Sequence, residues 1–362
     1  MNAPLAAMNN VDGDLIVRRE GAAGVLRLNR PKAINALTLD MTRGIVAALD
    51  TFETDPGVSL VLLEGAGERG LCTGGDIRGL YESAKVGGDL GAVFWREEYI
   101  LNARIPAYPK PYVAYMDGLV MGGGVGLSAH GPHRIVTEKT KIAMPEVGLG
   151  FFPDVGGTWL LSHTPGELGT YYALTGQPMT GADAIYAGVA DVLIKSADWP
   201  ALRDALTNAP LRANASDVRS IMQGYAVKDA VAPIEQHREQ IDRFFAFDSM
   251  EEIVAALTQD GSEFARATLK ALSDKSPIGL KVTLRLLRLG RSSKSLKECL
   301  VREYGAALVV FESAEFIEGV RAAVIDKDRN PKWSPARLED VTPEMVAKYF
   351  EPHKKYQLVF PD

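Results

Sequence analysis

Three consecutive glycines, Gly122-Gly123-Gly124, stand between a short apolar run, Tyr112–Met116, with its Asp117-Gly118 turn, and the small-residue segment Val125–Ala129. Such a run costs backbone entropy, so the chain needs bare backbone at that point. Two demands fit: close approach by a ligand, or N–H groups left free at a helix start to hold negative charge. A second glycine loop, GLCTGGDI at 70–77, contains Gly75. Downstream come two carboxylates in apolar company, Glu146 in AMPEVG and Asp154 in GFFPDVGG. An anion-holding backbone loop with two sheltered acids is the outline of an active site.

Rival chemistries find little support. The five histidines (His130, His133, His163, His237, His353) lack metal-ligand spacing, and HGPH at 130–133 is too short for a helical HExxH pattern. No G-x-S-x-G nucleophile elbow is present. Cys72 and Cys299 offer neither a disulfide framework nor a zinc pattern, and Cys72 reads as a small packing residue. Gly124-Val125-Gly126-Leu127-Ser128-Ala129 matches a dinucleotide fingerprint, but it does not follow directly on its strand, so the match is weak. A catalytically dead ligand-binding scaffold would be favoured by loss of Glu146 or Asp154, and both are present. For Asp154 the competing reading is an N-cap for the segment starting VGGTW. Glu97 and Glu98 open an amphipathic helix in this reading, where solvated acids are usual.

The elements that must position these residues follow an α/β order. Leu15–Val17 and Gly24–Asn29 form a strand pair around Gly21, and Thr38 caps a helix over 39–54. Val58–Leu63 is nearly all apolar, as in a strand covered on both faces. Strand, helix, strand, glycine loop and helix in succession indicate parallel βαβ units, with ligands at the carboxyl ends of the strands. Beyond Val192 helical periodicity dominates, in segments including 234–245, 281–287, 296–311, 314–325 and 343–350. The expected organisation is a flexible tail over 1–13, a catalytic core over 14–200 and a helical region over 201–362. The basic stretch Lys275–Lys297 reads as a solvated helix face.

A chain of 362 residues with 46% hydrophobic and 24% charged content reads as an ordinary soluble globular protein. A net charge of −6 gives no reason to expect nucleic acid or acidic membranes as partners. No stretch reaches the ~20 apolar residues of a membrane span. A cytoplasmic, reducing setting is expected.

GLCTGGDI, MDGLVMGGGVGLSAHG, AMPEVGLGFFPDVGG and EGVRAAVIDKDRNPKW together resemble the enoyl-CoA hydratase/isomerase (crotonase) superfamily, and within it the 3-hydroxyisobutyryl-CoA hydrolase branch. The resemblance runs from about Val17 to Trp333. It implies an α/β fold with a repeated ββα crotonase-type core and a helical C-terminal region. It further implies oxyanion donors at Gly75 and Gly123, Glu146 and Asp154 as catalytic acids, and Glu98 against the 3-hydroxyl of the substrate. Lys32 and Ala33 would frame the adenine and phosphates of CoA, although an exposed surface role suits Lys32 almost as well. Hydratases of this superfamily carry a second catalytic glutamate three residues after the middle glycine; here that position is Gly126. The implied activity is therefore thioester hydrolysis of a short branched 3-hydroxyacyl-CoA in valine breakdown, with an isomerase or hydratase of the same superfamily as the alternative. No metal or organic cofactor is expected, since CoA belongs to the substrate. A homo-oligomer is a further expectation, unless the helical C-terminal region replaces contacts between subunits.

Overall fold

The computed structural model describes residues 13–361, so of the expected tail over 1–13 all but Gly13 lies outside the described residues. The hairpin β1 (Leu15–Glu20) and β2 (Ala23–Leu28) turns at Gly21, whose φ of 55° suits glycine. The helix Leu39–Thr54 follows, its first turn capped by the Thr38 side chain, which accepts from Met41 N–H at 3.2 Å. Met41, Ile45, Leu49 and Phe52 form its buried stripe.

Eight further strands follow: β3 (Leu60–Gly65), β4 (Gly70–Cys72), β5 (Tyr112–Met116), β6 (Leu119–Met121), β7 (His133–Thr137), β8 (Lys141–Ala143), β9 (Met179–Thr180) and β10 (Val192–Ile194). They form a six-stranded sheet, β1-β2-β3-β5-β7-β10, and a four-stranded sheet, β4-β6-β8-β9. From β2 to β10 the larger sheet is parallel. β3, β5 and β7 each hand the chain within a few residues to a strand of the smaller sheet, and helical segments return it. This is the repeated ββα arrangement that the resemblance implied.

By its internal contacts the chain divides into two compact units, each assembled from three segments. The first comprises residues up to Gly75, Leu101–Ile142 and Met179–Pro233; the second comprises Asp76–Ile100, Ala143–Pro178 and residues from Ile234 onward. The expected organisation had drawn one cut near 200 along the sequence.

In the first unit, Val25, Leu60, Leu62, Val113, Ile135 and Ile194 pack against Leu202, Leu206, Val218 and Met222. Trp199 stacks on Tyr115 with ring centres 3.7 Å apart. Buried Glu64 on β3 is matched by Arg203 at 2.9 Å, whose guanidinium also reaches Glu20 at 2.8 Å.

The second unit is mainly helical and holds an aromatic cluster of Trp95, Phe151, Phe311 and Phe316. The helix expected over 296–311 is present as Leu296–Phe311, capped by Ser295. That expected over 314–325 ends as α-helix at Val320, and a wider π turn continues it over Arg321–Ile325. The segment 234–245 opens as a 3-10 turn, Pro233–His237, before the α-helix Arg238–Phe245. The basic stretch forms the helix Pro277–Ser292, but it is not simply a solvated face. Arg288 and Arg291 converge on the largely buried Glu167 at 3.1 and 2.5 Å, and Lys281 pairs with Glu251 at 2.5 Å. For these three cations the partners are acids from neighbouring segments, while Arg285 and Lys297 lie over the rings of Phe350 and Phe360.

Candidate active site

In the first unit the two glycine loops meet. A Cβ built on Gly74 would lie 3.4 Å from the backbone nitrogen of Gly123 and 3.3 Å from the carbonyl oxygen of Met121. One on Gly124 would strike the Cys72 carbonyl oxygen at 2.5 Å, so a side chain there would force the loops apart. Gly122 takes φ 47° as N-cap of the short helix Gly123–Ser128. Gly123 is therefore the first helical residue, whose N–H helix geometry leaves without an intrahelical acceptor. Gly75 bridges Leu37, and the bond made there is Leu37 N–H to the Gly74 carbonyl at 2.8 Å, which leaves the Gly75 N–H unused. Among the described residues neither Gly75 nor Gly123 N–H has an acceptor. Cys72 is buried under this junction, its Sγ 3.4 Å from Gly74 N, in the packing role expected of it.

Also in the first unit, Lys32 and Ala33 lie exposed on the 3-10 turn Pro31–Ala33. Arg69 donates to the Lys32 carbonyl at 2.7 Å. The left-handed pair Ile34 and Asn35 follows, and the buried Asn35 amide binds the Ala66 and Gly70 carbonyls at 3.0 and 3.1 Å. The turn is thus fixed while the Lys32 side chain stays in solvent.

The second unit gathers the acids. Glu146 opens the 3-10 turn Glu146–Leu149, and the residue is 8% exposed. Its Oε2 is buried with no hydrogen-bond partner among the described residues. Burial pushes its pKa well above the usual carboxylate range, and the charges of Asp154 and Glu98 add to that. Asp154 is 6% exposed and accepts a hydrogen bond from the Tyr99 hydroxyl at 2.7 Å. Burial raises its pKa to about 7, with the Tyr99 bond opposing and Glu303 reinforcing the rise.

Two readings of these acids need correction. Asp154 is no N-cap: the helix Gly157–Ser162 is entered through Gly156, without a side-chain cap. Nor do Glu97 and Glu98 open a helix. The helix spans Leu90–Arg104, and Glu98 sits in its interior, 1% exposed, with Oε1 buried and unpartnered among the described residues. Desolvation first, and then the charge of Asp154, raise its pKa well above normal. Carboxylates brought this close and this dry cannot all be ionised at neutral pH, so the cluster retains protons.

Two members of the group escaped the sequence reading. Tyr99 follows Glu98 directly; burial drives its phenol well above its ordinary pKa, so it remains a donor at neutral pH. Glu303, on the helix Leu296–Phe311, is completely buried. It accepts from Gly156 N–H at 2.7 Å, from Thr158 N–H at 3.0 Å and from the Thr158 hydroxyl. Its signal was present: it lies on the buried stripe with Cys299, Leu300 and Ala307, where an unpaired acid is costly.

The sequence profile of the enoyl-CoA hydratase/isomerase family matches residues 23–350. A Xenopus tropicalis protein described as mitochondrial 3-hydroxyisobutyryl-CoA hydrolase is 45% identical over 343 residues, covering 94% of this chain and 89% of that protein. The Homo sapiens protein of the same description is 42% identical over 345 residues, covering 93% and 88%. Among solved structures, one described as a carnitinyl-CoA dehydratase from Mycobacterium thermoresistibile superposes with a TM-score of 0.91 at 44% identity, covering 96% of this chain and 99% of that one. An enoyl-CoA hydratase structure from Rhodobacter sphaeroides gives 0.87 at 42% identity, covering 96% and 100%. With glycine loops, sheltered acids and paired sheets in agreement with these matches, the chain belongs to the enoyl-CoA hydratase/isomerase family.

Proposed function

We infer that the protein is an acyl-CoA thioester hydrolase that converts 3-hydroxyisobutyryl-CoA and water to 3-hydroxyisobutyrate and CoA. The carrying observation is the asymmetry of its acids. Glu146 is present, buried and raised in pKa beside Asp154, while Gly126 lacks any side chain where a hydratase would hold its second glutamate. Adding water across a double bond uses two carboxylates, one to place the water and one to exchange protons. Hydrolysis needs a nucleophile or base, a proton carrier and an oxyanion donor. The curated relatives named for this hydrolysis support the reading. The mitochondrial setting in their names belongs to those proteins and does not carry the cytoplasmic expectation. A role in valine breakdown is part of the same proposal.

In this mechanism the backbone N–H groups of Gly75 and Gly123 stabilise the thioester oxyanion. Ionised Glu146 attacks the carbonyl carbon, the C–S bond breaks, and the departing CoA thiolate takes a proton from Asp154. Water then opens the mixed anhydride, giving its proton to Asp154 and restoring Glu146. In the non-covalent version Glu146 instead removes the proton from the attacking water. Glu98 faces the 3-hydroxyl, and Lys32 and Ala33 frame the CoA nucleotide. CoA is part of the substrate, and no other cofactor takes part.

The second reading, hydration or dehydration, draws on the descriptions of the two close solved structures. A panel of acyl-CoAs separates the two. Release of free thiol from 3-hydroxyisobutyryl-CoA, with little change in the enoyl absorbance of crotonyl-CoA, is the expected result. Fast hydration without thiol release would reverse the conclusion.

A further inference from the structure

Asp154 stands at the head of a turn that the chain does not favour on its own. Val155, the next residue, is β-branched and yet takes φ 51°, in the left-handed region that such side chains avoid. Gly156 follows at φ 80°, and the helix Gly157–Ser162 then begins without any side-chain cap of its own. A strained turn of this kind persists only where its surroundings over-determine it.

Those surroundings are supplied by Glu303, a residue outside the loop and outside the family motifs. One carboxylate oxygen receives the Gly156 N–H at 2.7 Å. The other receives both the Thr158 N–H, at 3.0 Å, and the Thr158 hydroxyl. The clamp therefore grips the two residues just beyond Val155, while Asp154 itself is gripped by Tyr99 at 2.7 Å. Glu303 and Thr158 are both completely buried, so solvent does not compete for these bonds.

We propose that Glu303 is a positioning residue of the hydrolytic reaction: its carboxylate holds the Val155 turn so that Asp154 presents its oxygens at a fixed place. The inference rests on the hydrolase reading above. Glu303 does not touch the substrate; it acts through Asp154 in two ways. Its hydrogen bonds set where the Asp154 carboxyl points, and its negative charge, present as pH rises through its own raised pKa of about 7, helps to hold the Asp154 proton. The groups that share this field are Glu98 and Tyr99 from the helix Leu90–Arg104, Glu146 from its 3-10 turn, and Arg302 on the Glu303 helix.

Glu303→Gln keeps the size of the side chain but removes its charge and sets an NH2 group against one of the two backbone N–H donors. In the full-length protein, acting on 3-hydroxyisobutyryl-CoA, kcat should fall by roughly 10- to 100-fold, the scale of a small misplacement of a reacting group. KM should stay within about twofold, since ground-state binding is untouched. The apparent pKa in the kcat–pH profile should move to lower pH, because a charge that kept the Asp154 proton in place is gone. Thr158→Val is nearly isosteric, removes only the hydroxyl donor, and keeps the test available should the glutamine variant fail to fold. It should shift kcat and the profile in the same directions by less. Unchanged kcat and an unchanged pH profile in a folded variant would overturn the inference, as would a lower melting temperature with full turnover per folded molecule. Failure of the wild-type protein to release thiol would instead overturn the hydrolase reading, and it would show before any substitution is compared.

Discussion

The Tyr99 hydroxyl donates to Oδ2 of Asp154 across 2.7 Å, both groups being buried. This bond favours the ionised form of Asp154 against the burial that favours the neutral one, and the balance falls at a pKa of about 7. An acid poised there both gives and takes a proton at neutral pH, as a two-step hydrolysis requires. In Tyr99→Phe the ring packing remains and the donor is lost, so the Asp154 pKa should rise. Hydrogen bonds to charged groups are worth about 1.5–3 kcal/mol, which corresponds to a shift of roughly one to two pH units. The pH–rate profile should move to higher pH by that order, and a superimposable profile would remove Tyr99 from the proton balance.

Glu146→Gln should lose about two to four orders of magnitude in turnover, the range of general acid–base contributions, while still binding the CoA ester. The amide is nearly isosteric and can neither attack nor accept the proton. A single turnover in ¹⁸O-water with enzyme in excess then distinguishes the two roles of the native residue. Label on the peptide carrying Glu146, the expected outcome where water opens the anhydride at the enzyme carbonyl, demonstrates the covalent route that proximity favours, whereas label in the product acid alone fits both roles.

Gly123 is the first residue of its helix, the one helical position where proline is readily accommodated. Gly123→Pro therefore deletes the N–H with little damage to the helix. Turnover should drop about 10²- to 10³-fold, as for loss of one oxyanion donor, with circular dichroism near that of the wild type. Normal turnover in the folded variant would rule out that donor.

The buried acids also make stability depend on pH. Glu98 binds its proton more tightly in the folded chain than in the unfolded one, so folding is favoured where the proton is present. As pH rises above the ordinary carboxylate pKa, the unfolded chain ionises first and stability is lost. Asp154 and Glu303 lose theirs over the window that closes at about 7. The melting temperature should consequently fall between pH 5 and pH 7.5. Glu98→Gln cannot ionise, so it should melt above the wild type at pH 7.5 by more than at pH 5. Parallel melting curves for the two proteins across that range would contradict the assignment.

What was legible in the sequence was local. The helix 39–54 was readable to the residue because Thr38 caps it and one apolar stripe runs through it, and 296–311 was readable from its periodicity. The glycine loops were readable because bare backbone is itself a local demand. Glu98 was misplaced because LGAVFWREEYILNAR is apolar on several sides, so neither the start of its helix nor its buried face stands out. The environment of Asp154 was unreadable for another reason. Its partner Tyr99 lies 55 positions away, and the clamp of its turn comes from near the end of the chain.

That distance sets a timetable for synthesis. Glu303 follows Gly156 by 147 positions, so a ribosome adding about 5–20 residues per second leaves the Val155 turn without its clamp for roughly 7–30 s. The second unit also draws on segments from Asp76 to the far C-terminal region, so it cannot be completed within that interval. Chains that stop early would carry Glu146 and Asp154 but not the group that holds the turn between them and the helix beyond. Catalytic competence thus arrives late in translation, and an unfinished polypeptide has its acids before it has its enzyme.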